Sequence, residues 1–245
     1  TMPDIIPAIP TKAKLLIEYG DGNFYDFEVI YIPISISSSN KYSFVNVYGA
    51  NRTGLHYSIH NFNENTAFAV GVFYYGTIYP VLQTITEGNI FSTTEQFSTP
   101  LQSIPYTVYA LTSKNIIITT ATTKGNTFII NTKNKFLTAP SVLEATSLTP
   151  FINYMTFFDD QNGILVGDPK GNKWGIAITK NAGLNWNIFE NSIPVDSGEL
   201  GILNVAAKLD NTIWFGTNKG KIIKINNMGE TWSADTVCKD AIITS

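Results

Sequence analysis

Residues 153–186 read NYMTFFDDQNGILVGDPKGNKWGIAITKNAGLNW, and residues 203–232 read LNVAAKLDNTIWFGTNKGKIIKINNMGETW. The two stretches match part for part. Each has an apolar run, a polar turn, a second run, a glycine turn, a third run, and a last turn closing on Gly-x-x-Trp. The step from Gly183 to Gly229 is 46 residues, and the step from Trp186 to Trp232 is again 46. Short β-branched and aromatic runs bounded by Gly, Asn, Asp, Ser or Pro read as strands. Strand, turn, strand, glycine turn, strand, turn at a period of roughly 40–50 residues describes one four-stranded propeller blade.

Working outward, 106–136 is a weaker copy: runs at 106–111, 116–120 and 127–131, with Gly125 in the second turn. Looser versions end at 88–92, 54–58 and 22–25, and further strands are expected at 14–19, 27–34, 42–48 and 67–75. No segment carries a helical period. The expectation is an all-β chain, a β-propeller of four-stranded antiparallel blades. A single domain over 1–245 would hold five to six blades, divergent over 13–104 and regular over 105–235.

Composition narrows the function classes. Of 245 residues, 44% are hydrophobic and only 14% charged, with 13% aromatic, which argues for a packed domain and against disorder. The 16 basic against 19 acidic residues give a formal charge of −3, so there is no basic stripe for nucleic acid or an anionic membrane. Arg52 is the only arginine, which excludes any chemistry built on several guanidinium clamps. Cys238 is the single cysteine, so no internal disulfide and no thiolate metal site is expected. The most apolar stretch, 67–82, is too short to span a bilayer and is interrupted by Gly71, Gly76 and Pro80. The start, Thr1-Met2-Pro3-Asp4, has neither a basic nor an apolar signal region, so a signal peptide is absent or already removed. Asn51-Arg52-Thr53 forms a glycosylation sequon, which matters only in a eukaryotic source.

The closing turns have a physical logic. Asn181 and Asn227 can bond the backbone of their own turn, and Gly183 and Gly229 can take positive φ. Trp186 and Trp232 can bury a ring against the strand they open. Thr179-Lys180-Asn181-Ala182-Gly183-Leu184-Asn185-Trp186 resembles an Asp-box, the Ser/Thr-x-Asp/Asn-x-Gly-x-x-Trp hairpin of BNR-repeat propellers. The second copy, 225–232, has Ile225 at the opening position. Over about 105–235 the pattern is similar to sortilin-type and photosystem-assembly-type BNR propellers. The resemblance implies a structural role for Thr179, Asn181, Gly183, Trp186, Asn227, Gly229 and Trp232. It also implies a choice among sialidases, glycoside hydrolases, sorting receptors and non-catalytic assembly or adhesion propellers. Sialidases hold a substrate carboxylate with three arginines, and Arg52 alone cannot do so.

Glycoside hydrolysis needs two carboxylates across a cleft. Asp159, Asp160 and Asp210 fall in strand turns, where Asp serves local hydrogen bonding, and Asp168 precedes Pro169 in a glycine turn. Asp196 and Glu199 lie in a longer inter-blade loop, and with Tyr74 and Tyr75 of the aromatic-rich half they are the expected binding residues. His56 and His60, read on a strand, share a face about 13 Å apart and make no metal pair. Neither catalytic residues nor a metal or other cofactor is expected. The reading is a non-catalytic interaction or scaffold module of a secreted or cell-surface assembly, with other proteins as partners. The alternative is a carbohydrate-active propeller, either a glycan binder or a hydrolase. The Asn/Ile/Thr/Lys-rich composition is associated with an AT-rich bacterial source.

Overall fold

The computed structural model describes residues 11–19, 23–31, 53–74, 77–86, 89–189, 193–239 and 241–244. The chain divides into two compact units, Thr1–Ser43 and Phe44–Ser245. In the first, β1 (Thr11–Tyr19) and β2 (Asn23–Tyr31) form an antiparallel hairpin in register from Thr11↔Tyr31 to Tyr19↔Asn23.

The second unit is built from four antiparallel four-stranded sheets in a propeller arrangement. Blade 1 comprises β3 (Thr53–Asn63), β4 (Thr66–Tyr74), β5 (Ile78–Thr86) and β6 (Asn89–Gln96). Blade 2 comprises β7 (Ile104–Ala110), β8 (Ile116–Ala121), β9 (Thr127–Asn131) and β10 (Ser141–Glu144). Blade 3 comprises β11 (Ile152–Phe157), β12 (Gly163–Lys170), β13 (Lys173–Thr179) and β14 (Asn187–Ile188). Blade 4 comprises β15 (Gly201–Leu209), β16 (Thr212–Thr217), β17 (Lys221–Asn226) and β18 (Thr231–Thr236). Each sheet runs in chain order, so β3, β7, β11 and β15 are the first strands of their blades. These four pack successively, β3 on β7, β7 on β11 and β11 on β15.

Three apolar cores separate the blades. Phe68, Val70 and Leu82 of blade 1 meet Val108, Ile116, Ile118 and Ile130 of blade 2. Ile117 and Ile129 on the other face of blade 2 meet Met155, Phe157, Leu165 and Trp186 of blade 3. Ile164, Val166, Trp174 and Ile176 meet Ile213, Phe215, Ile223 and Ile225 of blade 4. A middle strand such as β8 (IIITTA) is therefore buried on both faces at every residue. That explains its continuous β-branched run in place of alternation. Its threonines are satisfied: Thr119 Oγ1 pairs with Thr107 Oγ1 at 2.6 Å, and Thr120 Oγ1 with Ser103 Oγ at 2.7 Å.

The all-β propeller expectation holds, with a different blade count: four complete blades and one hairpin among the described residues, where five to six blades were expected. The stretch 54–58 is not a blade end. It lies within β3, while 88–92 overlaps the start of β6. Gly54, which reads as a turn residue, faces Phe73 in the β3–β4 ladder. The expected strand 42–48 lies outside the described residues. Among the described residues, no helix is long and apolar enough to cross a membrane.

Candidate functional site

The turn after β13 is closed by side chains. Thr179 Oγ1 donates to Asn181 Oδ1 at 3.0 Å and accepts the Gly183 amide at 3.0 Å. Asn181 Oδ1 accepts the Asn185 amide at 2.9 Å, and Trp186 Nε1 donates to the Gly183 carbonyl at 3.1 Å. Gly183 has φ +78°, and a Cβ there would press on Ile117 of blade 2. Trp186 is 7% exposed and stands edge-on to Phe157 at 5.9 Å. Asn131 of β9 donates to the Ala182 carbonyl, so this turn also ties blade 3 to blade 2. The second turn keeps the backbone shape, with Met228 at φ 55° and Gly229 at φ 110°. Asn227 is exposed at φ 50°, and Trp232 on β18 is half-buried. The first set is knit into the fold by side-chain bonds, whereas of the second only Gly229 is buried.

Asp196 and Glu199 do come together, around a lysine. Lys221 Nζ lies 2.8 Å from Asp196 Oδ2 and 3.1 Å from Glu199 Oε2. Glu199 Oε2 also accepts the Asp196 amide, at 2.9 Å, and the Glu199 side chain is fully buried. Burial pulls the Lys221 ammonium down, but the two carboxylates outweigh it and raise its pKa. This loop is a staple between the β14–β15 connection and β17. Tyr74 is exposed at the end of β4, and Tyr75 lies outside the described residues.

Asp159 and Asp168 each serve bonds of their own surroundings. Asp159 Oδ1 accepts the Gln161 and Asn162 amides, and bonds from Asn162 foremost hold its carboxyl below the ordinary range. Asp168 Oδ1 accepts Asn153 Nδ2 at 2.8 Å and the Gly201 amide at 3.1 Å, linking blade 3 to β15. Burial outweighs those bonds and raises its pKa.

The residues that converge are not the expected binding residues; of them the sequence reading weighed only His56 and His60, as a metal pair. A cavity of about 720 Å³ opens among the first strands of the four blades. His56, Tyr57, Ser58, Ile59 and His60 come from β3, Thr107, Val108 and Tyr109 from β7, Tyr154, Met155 and Thr156 from β11, and Asn204 and Lys208 from β15, with Ala69 beneath. This is the axial cavity of the propeller. Among the described residues the lining holds hydroxyls, rings, a carboxamide and the Lys208 side chain, and no carboxylate.

Its chemistry is set by burial. The His60 ring packs on Tyr109 at 4.1 Å, and desolvation lowers its pKa against a bond to the Ala110 backbone, so at neutral pH it is uncharged. Burial raises the Tyr109 and Tyr154 phenols, keeping both protonated as donors. Tyr57 and Tyr106 rings lie 5.1 Å apart, and Tyr106 continues to Phe151 at 4.8 Å. His56 bonds Gln83. Among the described residues, no three His, Cys, Asp or Glu side chains gather as a metal cage.

No protein-family model matches the chain. No curated protein matches it in sequence. Several solved structures are similar to it. One is YCF48 bound to a D1 peptide, at 15% identity and TM-score 0.37, covering 93% of this chain and 77% of that one. A second is Raptor of Chaetomium thermophilum, at 14% identity and TM-score 0.44, covering 74% of this chain and 16% of that one. A third is the NanB sialidase of Streptococcus pneumoniae, at 16% identity and TM-score 0.46, covering 94% of this chain and 42% of that one. The chain thus spans less than half the length of the last two.

Proposed function

We propose that this chain is a non-catalytic interaction propeller of the BNR type, a scaffold in a secreted or cell-surface bacterial assembly, binding a protein partner at its axial cavity. The carrying observation is Ile59 on the β3 wall of that cavity, an apolar side chain 61% exposed. Apolar side chains left in water at the mouth of a pocket suit a polypeptide better than a sugar. The bonds of the 179–186 turn support the Asp-box reading, since each conserved-type position of that motif has a bonding or packing task here. The cavity supports a binding role through its exposed apolar, aromatic and hydroxyl lining.

Glycan binding is the second reading, favoured by the Tyr57, Tyr109 and Tyr154 rings among the Ser58 and Thr156 hydroxyls. One comparison separates the two. The wild-type protein and Ile59→Arg, an exposed substitution that should leave the melting temperature unchanged, are panned against a linear dodecapeptide library and applied to a glycan array. Peptides enriched on the wild type and lost on Ile59→Arg are expected. Sugar retention with the same loss would transfer the site to the carbohydrate reading. Ligands indifferent to Ile59→Arg would remove the cavity from either.

A further inference from the structure

We propose that the inner edge of β3 accepts an extended, acidic segment of the partner polypeptide as an added strand, and that in the free protein the Asn204 side chain holds the place of that segment's backbone amide. This inference rests on the reading that the axial cavity binds a protein.

Two irregularities from strands far apart in sequence meet at one hydrogen bond. The β3–β4 ladder slips between His56 and Ser58, which face Gly71 and Val70, leaving Tyr57 as the extra residue. A bulge leaves its extra residue out of the ladder and re-aims it. The Tyr57 carbonyl accepts Asn204 Nδ2 at 2.7 Å. The bulge is built in by Gly71, since a Cβ there would run into the Leu55 carbonyl and the His56 Cα. On the other side, the β15–β16 ladder slips between Gly201 and Ala206, and Asn204 within that slip has φ 59°. Asn is among the few residues that take left-handed backbone readily. The strained position is what turns a primary amide onto a strand-edge carbonyl, and strain of this kind gathers at functional sites.

A carboxamide N–H on that carbonyl reproduces the bond a neighbouring strand would make. Among the described residues β3 is the terminal strand of its sheet, with β4 as its ladder partner. A strand edge with unpaired groups is a template for strand addition. Ile59, two residues beyond Tyr57 and on the Ala69 side of the sheet, gives an incoming strand an apolar contact. Among the described lining residues Lys208 is the one lysine or arginine; its ammonium lies 5.9 Å from the Phe158 ring and faces no described carboxylate of the lining, which selects an acidic side chain in the segment.

The test uses the strongest peptide recovered from the dodecapeptide library, synthesised plain and with a single backbone N-methyl group moved along its length. Affinities are measured on the wild type, Ile59→Arg, Lys208→Glu and Asn204→Gly. Glycine keeps the left-handed backbone and removes only the placeholder. Asn204→Gly is expected to bind about threefold to tenfold tighter, since no hydrogen bond has to be given up first. One N-methyl position should weaken binding tenfold or more, and Lys208→Glu should weaken it about threefold to tenfold. Equal or weaker binding to Asn204→Gly, or a flat N-methyl scan, overturns strand addition. If the peptide still depends on Ile59, the cavity reading survives that result. If no Ile59-dependent peptide is recovered, both fall.

Discussion

Trp186 and Trp232 hold equivalent places in two turns 46 residues apart, yet the structure gives them unequal work. Trp186 is buried against Phe157 with its indole N–H on the Gly183 carbonyl, while Trp232 leaves part of its ring in solvent. The difference begins with Thr179 against Ile225. The threonine hydroxyl accepts the Gly183 amide, and isoleucine has no such group. Trp186→Ala should therefore cost about 3–5 kcal/mol. Trp232→Ala should cost about 1–2 kcal/mol, in proportion to the smaller area buried. Urea unfolding of the two variants measures the order, and a larger loss at Trp232 contradicts this account. Motif spacing shows both turns, but it does not show which of them is braced.

At the level of strands, the sequence was legible where the chain is buried on both faces and silent where it is not. β8 and β12 show as dense apolar runs because each is sandwiched between two cores, while β16 sends Ile213 and Phe215 into one. β14, with two residues, and the exposed β18 have no apolar pattern to read. β5 carries Pro80 inside a strand paired on both sides, a residue that argues against that position. The cavity was missed for a related reason: it is lined by bulged first strands, and neither Tyr57 nor Asn204 carries a mark of its irregularity in sequence. Asp168, read as a turn residue, proves to be a link between blades through Asn153 and Gly201. Asp168→Asn keeps an acceptor oxygen for both donors and removes a charge that burial disfavours, so it should be no less stable at pH 7. Asp168→Ala strands two donors and should cost about 1–3 kcal/mol. The pH dependence has a definite sign. Because the folded carboxyl titrates above its ordinary value of 3.8, the native state holds the extra proton, and this contribution to stability falls as pH rises through the window from 3.8 to the raised folded value. Asp168→Asn should abolish that falling contribution, and a pH-stability curve superimposable on the wild type would show that Asp168 is not desolvated.

At the level of the second unit, stability resides in three cores laid between four blades, and each core is confined to one blade interface. Such an array behaves as a chain of nearest-neighbour terms, as in other repeat proteins. Ile118 in the first core and Ile223 in the third are both fully buried and share no partner. Ile118→Val and Ile223→Val should each cost about 0.5–1.5 kcal/mol. The double variant should match their sum within about 0.5 kcal/mol. Ile213→Val combined with Ile223→Val, inside one core, should depart from additivity by more, because the same cavity is enlarged twice. Equilibrium unfolding read by tryptophan fluorescence and by far-UV circular dichroism decides the matter. Coincident transitions with an additive distant pair mean that the interfaces are independent but melt together. Strong coupling between the distant pair would mean that strain passes through the first strands. Those strands also line the cavity, so such a result would make the width of the cavity a property of every blade rather than of β3 and β15 alone.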